Sequence, residues 1–383
     1  MKIIRVCFYF AVFAVFMGTA IFAMWTDRSY MDIHASVKGR VERLFSELPI
    51  DGFLNQTHYD YLRATNRNHF NGVTFLTDNR LMMDTLENNS YRLERADGIA
   101  ELRDYANNEG IPFFFVRVPS KIQDNSPLPF AYSDNTIITK ADELYETIAG
   151  HGVNTFDLRA EMEKDRIDFA EAFFDMDLHW TAETALWGAG KIGEHMSREF
   201  GFELDKSVWE PGNYDRITYR NAFQGNEIRP LGGSFVFEDI TAVVPKFYTE
   251  IEKTVHDVNE VTAGSFIDVF APKVRNEVNE FFATEDMEIQ ERSLTSLVNF
   301  NASNDYKVLL IGDSYGLSLV TFFSLGFERT DFLYLITGHT FRVIWDVIRG
   351  SDYDIVIFML SDAVVSLENR PVFEEDRLYL GRP

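Results

Sequence analysis

The chain has 383 residues, which is enough for one large or two ordinary domains with a substantial hydrophobic core. Apolar side chains make up 46% of the sequence and aromatic side chains 15%, so an intrinsically disordered chain is excluded. The formal net charge of −24 argues against a nucleic-acid-binding protein, because phosphates are bound by clustered Lys and Arg side chains.

The N-terminal segment, residues 1–28, predicts how the protein meets a membrane. Residues 6–25 carry no charge, Lys2 and Arg5 precede them, and Asp27 and Arg28 follow. This length spans a bilayer, and the leading basic residues place the N-terminus in the cytoplasm. We therefore expect a single-span anchor with the rest of the chain in the periplasm or extracellular space. The small residues at 18–20 are also compatible with a cleaved signal peptide, and both alternatives stay open.

The only cysteine, Cys7, lies inside this apolar segment. The exported part therefore has no disulfide, no Cys-x-x-Cys metal cluster and no cysteine nucleophile. No HExxH motif or clustered set of His and carboxylate ligands appears either. The sequence predicts neither a metal nor a cofactor.

The next stretches alternate between helical and strand-like patterns. Apolar residues at helical spacing between positions 33 and 48 predict an amphipathic helical stalk over residues 29–64. Residues 65–202 form the first part of the main domain. Its predicted elements are a strand with a turn at 70–76, strands at 112–118 and 153–156, and helices at 99–108, 141–149 and 182–200, the last with Thr181 as its N-cap.

Residues 203–300 interrupt this alternation with several glycines and prolines and with short strand-like runs at 235–237 and 242–244. We interpret them as an insertion at the working edge of the sheet, and a substrate-contacting role and a purely structural role are equally compatible. Residues 301–383 complete the main domain. Strands at 308–311, 332–336 and 355–359 and a helix at 341–348 predict a mostly parallel sheet with helices on both faces.

The string at residues 174–181 contains a candidate general base. Asp177 precedes His179 by two positions, and in an extended loop such residues point the same way. Asp177 then accepts a hydrogen bond from the Nδ1–H group and leaves Nε2 free, while Trp180 forms a wall of the site. The spacing alone is weak, because Asp32 and His34 show it on the predicted stalk.

The strand at 308–311 leads into Gly312, Asp313 and Ser314, followed by Tyr315 and Gly316. A serine at such a turn, with a helix behind it, presents its hydroxyl at the carboxyl edge of a sheet. Backbone N–H groups next to it are then available to an oxyanion. Since the histidine string is expected at the same edge, we predict serine-dependent acyl chemistry, with Ser314 as nucleophile.

Two other signals are weaker. His339 and Arg342 follow the strand at 332–336 and face the same edge, where a contact with the acyl oxygen or substrate and a role in starting a helix are equally compatible. Residues 188–193 match the GxGxxG pattern of dinucleotide binding. They lie inside a predicted helix with no strand leading into it, so close packing of that helix explains them better.

Three strings together resemble a known family: residues 177–181 (Asp-Leu-His-Trp-Thr), 312–316 (Gly-Asp-Ser-Tyr-Gly) and 118–121 (Val-Pro-Ser-Lys). The chain resembles the SGNH-hydrolase-like domain of the AlgX/AlgJ alginate O-acetyltransferases and the related DHHW proteins over roughly residues 65–365. The resemblance implies an α/β three-layer sandwich with a mostly parallel central sheet. The acid and histidine precede the serine, so the usual SGNH motif order is permuted.

The resemblance also implies a function, namely transfer of an acetyl group to hydroxyls of an exported polysaccharide. Ser314 would be the nucleophile, His179 the base and Asp177 its orienter, and a membrane-bound O-acyltransferase would supply the acyl group. The net charge favours a neutral or amino-sugar glycan over a uronate polymer. A carbohydrate esterase of the same fold and a non-catalytic polysaccharide assembly or binding protein are the alternatives.

Overall fold

The computed structural model describes residues 61, 69–70, 73–75, 81–83, 94–122, 136–223, 225, 238–256, 258–270, 294–335 and 341–365. The anchor and the stalk predicted over residues 1–64 lie outside this part, apart from residue 61. Within it, no helix combines the length and the apolar character needed to cross a bilayer. The chain divides into two compact units, and all elements given below belong to the unit of Arg67–Leu231 and Val236–Pro383.

An eight-stranded sheet forms the centre of this unit. Its strands are β4 (Phe113–Val118), β5 (Asn154–Asp157), β8 (Ile251–Val255), β9 (Glu260–Gly264), β10 (Leu294–Asn299), β11 (Lys307–Gly312), β12 (Arg329–Tyr334) and β13 (Ile355–Ser361). Their order across the sheet is β5-β4-β13-β11-β12-β10-β8-β9. The five strands from β5 to β12 are parallel, and the last three are antiparallel. Five carboxyl ends therefore meet at one edge of the sheet.

The smaller strands form two further sheets. Strands β1 (His69–Phe70), β2 (Val73–Phe75) and β3 (Leu81–Met83) pair in one, and β6 (Tyr214–Phe223) and β7 (Glu238–Pro245) pair in the other. The helices are α1 (Glu94–Asn108), α2 (Thr136–Gly150), α3 (Leu158–Asp165), α4 (Phe169–Ala172), α5 (Ala182–Glu199), α6 (Phe266–Phe270), α7 (Tyr315–Phe323), α8 (Phe341–Ile348) and α9 (Asp362–Val365).

Both faces of the central sheet are buried. Along β11, Val308 and Leu310 join one apolar cluster, and Leu309 and Ile311 join the other. The first cluster includes side chains of α5 and α7, and the second includes side chains of α1, α2 and α8. A strand that is apolar at successive positions fits a sheet covered on both sides. The predicted layers and the parallel strands are confirmed, whereas the three antiparallel strands β10, β8 and β9 were not predicted as part of this sheet.

The predicted insertion at residues 203–300 divides between two sheets. The antiparallel pair β6–β7 stands outside the central sheet, while β8, β9 and β10 extend it. The run at 242–244 lies in β7, and the run at 235–237 lies outside the described residues.

The glycines of the GxGxxG match serve the packing of α5. A Cβ atom at Gly193 would lie 2.4 Å from the ring of Trp209, and one at Gly188 would lie 3.4 Å from the ring of Trp180. Glycine lets two large aromatic rings approach the helix backbone.

Candidate active site

Ser314 lies where β11 passes into α7, at the edge that holds the carboxyl ends of the parallel strands. The turn is packed too tightly for side chains at two positions. A Cβ atom at Gly312 would lie 2.5 Å from the Met359 side chain, and one at Gly316 would lie 2.6 Å from the Phe332 ring. Gly312 and Gly316 therefore allow the turn to pack closely against β13 and β12. The Ser314 side chain remains partly exposed.

Residues 173–181, the histidine loop, form a short hairpin ahead of α5. Phe173 and Trp180 pair as an antiparallel bridge, and the Phe174 N–H donates to the His179 carbonyl at 3.1 Å. The Thr181 hydroxyl accepts from the Thr184 N–H and caps α5, as predicted. These bonds fix the loop between α4 and α5.

The structure brings the side chains of Ser314, His179 and Asp177 into contact. His179 Nε2 lies 2.7 Å from Ser314 Oγ, and His179 Nδ1 lies 2.6 Å from Asp177 Oδ1. Asp177 Oδ1 also accepts from the His179 backbone N–H at 2.9 Å. Because an ionised carboxylate only accepts, Nδ1 carries the ring proton and Nε2 accepts from the serine hydroxyl. This arrangement is capable of drawing a proton from Ser314.

Backbone N–H groups around Ser314 and Tyr315 were expected to be available to an oxyanion, and those of Tyr315 and Gly316 have acceptors within the turn. The Tyr315 N–H donates to Asp313 Oδ1 at 3.0 Å, and the Gly316 N–H donates to the Asp313 carbonyl at 2.9 Å. Among the described residues, no group accepts from the Ser314 N–H. Of the backbone N–H groups of Ser314, Tyr315 and Gly316, that of Ser314, at the N-terminus of α7, is therefore the one left for an oxyanion.

Asp313 is a buried residue whose role the sequence did not reveal. Its second carboxylate oxygen accepts from the Ser361 N–H at 2.7 Å, so the side chain joins the serine turn to the end of β13. Burial raises the pKa of this carboxyl, and the hydrogen bonds from Ser361 and Tyr315 oppose the rise. The carboxylate needs the Tyr315 N–H because it has no access to water.

The remaining predicted site residues divide into two groups. Trp180 is only 1% exposed and donates from its indole to Ser318 Oγ at 2.7 Å, so it supports the loop from within the core. Tyr315 packs its ring 5.0 Å from the His179 ring, and its hydroxyl donates to the Leu178 carbonyl. His339 and the side chain of Arg342 lie outside the described part. In the region that is described, no group of three or more His, Cys, Asp or Glu side chains is placed to hold a metal ion.

Residues 75–209 match the family model of the SGNH hydrolase-like domain of acetyltransferase AlgX. The match includes the histidine loop and ends before the serine turn. It confirms the resemblance expected from the sequence motifs. No curated protein matches the chain.

Solved structures with the same fold include Bacillus cereus PatB1 with a sulfonyl adduct. It is 17% identical, with 76% of this chain and 94% of that chain covered and a TM-score of 0.59. A DHHW family protein from Eubacterium siraeum is 16% identical, with 79% and 94% covered and a TM-score of 0.53. The chain therefore has an SGNH-hydrolase-like α/β fold with a mixed, mostly parallel central sheet.

Proposed function

We propose that the protein is an O-acetyltransferase that moves an acetyl group onto hydroxyls of a polysaccharide through an acyl-serine intermediate on Ser314. The observation that carries this proposal is the chain of contacts from Ser314 Oγ through His179 to Asp177. The match of residues 75–209 to an acetyltransferase family model supports acetyl transfer as the reaction class.

In the first half-reaction Ser314 Oγ attacks the carbonyl carbon of the acetyl donor, an ester or thioester, while its proton passes to His179 Nε2. The imidazolium so formed is stabilised by the Asp177 carboxylate, 2.6 Å from Nδ1. The Ser314 N–H and the N-terminal end of α7 face the negative charge that develops on the carbonyl oxygen. The donor's leaving group takes the proton from Nε2, and the acetyl ester remains on Ser314.

In the second half-reaction a sugar hydroxyl replaces the departed donor. Its proton passes to His179 Nε2 as its oxygen attacks the acetyl carbonyl. The bond to Ser314 Oγ breaks, and that oxygen recovers a proton from Nε2. The products are the acetylated sugar and the free enzyme.

The proposal includes a cellular setting. The uncharged run at residues 6–25 supports a membrane anchor with the catalytic domain in the periplasm or extracellular space. A membrane-bound O-acyltransferase is the proposed source of acyl groups. The net charge of −24 would repel a polyanion, so we propose a neutral or amino-sugar glycan as acceptor.

The test begins with p-nitrophenyl acetate as donor and intact-protein mass spectrometry as readout. We expect the wild-type protein to gain one acetyl group, the Ser314→Ala variant to gain none, and the Ser303→Ala variant to behave as wild type, because Ser303 is exposed. Neutral, amino-sugar and uronate oligosaccharides are then added, and free acetate and acetylated sugar are measured.

Acetylated sugar that depends on Ser314 supports transfer. Acetate alone, with every acceptor, overturns transfer in favour of an esterase, because the two reactions share all steps up to the acyl-enzyme. Normal acetylation by Ser314→Ala would end both enzymatic hypotheses. A wild-type protein that binds oligosaccharide but is never acylated would favour a non-catalytic assembly or binding protein.

A further inference from the structure

The histidine loop is held by two charged side chains from elsewhere in the chain. Lys121 Nζ, just after β4, donates to the carbonyls of Asp175 at 2.8 Å and Asp177 at 3.1 Å. The Glu238 carboxylate, at the start of β7, accepts from the N–H groups of Asp175 at 2.9 Å and Met176 at 3.0 Å. The loop is therefore bonded through its carbonyls on one side and its N–H groups on the other.

The burial of Lys121 makes its contacts specific. Lys121 is only 3% exposed, and a buried ammonium is tolerated only when acceptors replace its water. Gly225 adds a close backbone approach, because a Cβ atom there would lie 1.9 Å from the Met176 carbonyl oxygen. Gly225 follows β6, and Glu238 begins β7, the strand that pairs with β6. Both residues therefore contact the loop at Met176.

We propose that Lys121 and Glu238 are positioning residues that set the orientation of Asp177 and, through it, of His179. This inference rests on the proposed role of Ser314. Lys121 binds the carbonyl of Asp177 itself, and Glu238 fixes the two residues before it. A catalytic group must be held within about 0.5 Å of its productive position, so release of this backbone moves the base away from Ser314.

The contacts of Lys121 and Glu238 with the histidine loop, here called the clamp, are sensitive to pH because Glu238 ionises. Burial raises the pKa of Glu238 to about 7, and the N–H groups of Asp175 and Met176 and the charge of Lys121 oppose the rise. A protonated carboxyl has an O–H donor in place of one acceptor, so it no longer accepts equally from both N–H groups. Seven other charged side chains line the cavity of about 670 Å³ beside Glu238: Arg166, Asp168, Glu171, Asp175, Asp239 and the ion pair of Glu183 and Arg216.

The experiment measures the rate at which phenylmethylsulfonyl fluoride labels Ser314 from about pH 6 to about pH 9, in wild type and in Glu238→Gln. We expect the variant to be about 10- to 100-fold slower at the alkaline end and within about 3-fold of wild type at the acidic end, where the wild-type carboxyl is also neutral. Lys121→Met should be slower throughout. Glu260→Gln and Lys206→Met change exposed residues and should label as wild type.

A second measurement needs no variant. Hydrogen exchange of the wild-type Met176 amide, corrected for its intrinsic rate, should become slower relative to the Thr181 amide between about pH 6 and about pH 8. The proposed clamp would be overturned if the ratio of the labelling rates of wild type and Glu238→Gln did not change with pH. It would also be overturned if the protection of the Met176 amide did not change with pH. If the wild-type protein acetylated no sugar while Ser314 was labelled with the expected pH dependence, only the proposed function would be overturned.

Discussion

Asp177 makes two bonds with one oxygen, because Oδ1 accepts from both the ring Nδ1 and the backbone N–H of His179. The backbone bond fixes the carboxylate relative to the peptide that carries the imidazole. The ring bond then fixes the tautomer. The contacts between the proposed general base and its carboxylate therefore lie within three consecutive residues, whereas Ser314 and the proposed positioning residues Lys121 and Glu238 come from distant parts of the chain.

The charge of Asp177 is expected to matter more than its hydrogen bonds. In Asp177→Asn the amide oxygen still accepts from both N–H groups, but the imidazolium loses its counter-charge. We expect the labelling rate of Ser314 to fall about 10²- to 10⁴-fold, with little change in the free energy of unfolding. The measurement is the rate of sulfonyl fluoride labelling, with thermal unfolding followed in parallel.

Asp175→Asn is the matched control at about pH 9, because the Asp175 side chain is exposed on the same loop and Glu238, whose pKa the Asp175 charge raises, is ionised there in both proteins. Its labelling rate should stay within about 3-fold of wild type. Equal decreases of the labelling rate in Asp177→Asn and Asp175→Asn would mean that general damage to the loop, and not loss of the Asp177 charge, slows the labelling of Ser314.

Prediction from sequence succeeds for residues whose role follows from local spacing. Asp177 and His179 are two positions apart, and Ser314 directly follows a buried strand, so both strings were expected at the same edge. Asp313, Lys121 and Glu238 act on backbone groups of other segments. Such contacts depend on tertiary structure and leave no spacing pattern. The sequence therefore did not predict these roles, although Lys121 and Asp313 lie in the strings that carry the family resemblance.

At the scale of elements, α5 depends on the fit of Trp209 against its glycine face. The Trp209 indole donates to the Phe322 carbonyl at 3.0 Å, and a Cβ atom at Gly326 would lie 2.2 Å from the same ring. Glycines on two elements thus enclose one buried ring, which has little freedom to move aside.

Gly193→Ala should therefore destabilise the protein, although alanine normally favours a helix. The added methyl group would meet the Trp209 ring at 2.4 Å. We expect the free energy of unfolding to fall by about 1–3 kcal/mol, measured by denaturant titration. Gly150→Ala, in α2, places its methyl in open space and should be neutral or stabilising by up to about 1 kcal/mol. A stability gain at Gly193 would show that the ring moves freely.

The boundaries of strands were predicted well where the apolar pattern is continuous and poorly where buried polar residues interrupt it. The β12 strand was expected at 332–336 and is observed at Arg329–Tyr334. Asp331 is fully buried there because Arg329 and the Tyr353 hydroxyl donate to it. Likewise β8 and β9 carry charged residues at sheet positions, so these antiparallel strands were not recognised from the sequence.

At the scale of the molecule, the sequence has a net charge of −24, and several acidic side chains are buried in the described part of the chain. Burial raises the pKa of Asp362 to about 6 and that of Glu238 to about 7, and it also raises the pKa of Asp313. Arg117 donates to Asp362 at 2.8 Å and opposes the rise there. These acids hold their protons more tightly in the folded chain than in the unfolded chain.

The sign of the pH dependence follows from this difference. Between the ordinary values, 3.8 for Asp362 and 4.5 for Glu238, and their folded values of about 6 and about 7, the folded state binds more protons than the unfolded state. The stabilisation that these two protonated carboxyls contribute is fully present below their ordinary pKa values. It is lost as the pH rises through their pKa values in the folded state. Self-repulsion of a chain with a net charge of −24 acts in the same direction.

We therefore expect the free energy of unfolding to fall by about 1–3 kcal/mol between about pH 5 and about pH 8. Glu238→Gln removes one of the responsible carboxyls, so its decrease over this range should be smaller than that of wild type. Added salt weakens the self-repulsion but leaves the contribution of the buried acids, which separates the two causes. Calorimetry at several pH values measures all three effects, and stability that instead rises steadily toward pH 8 would mean that Asp362 and Glu238 are ionised in the folded protein at little cost.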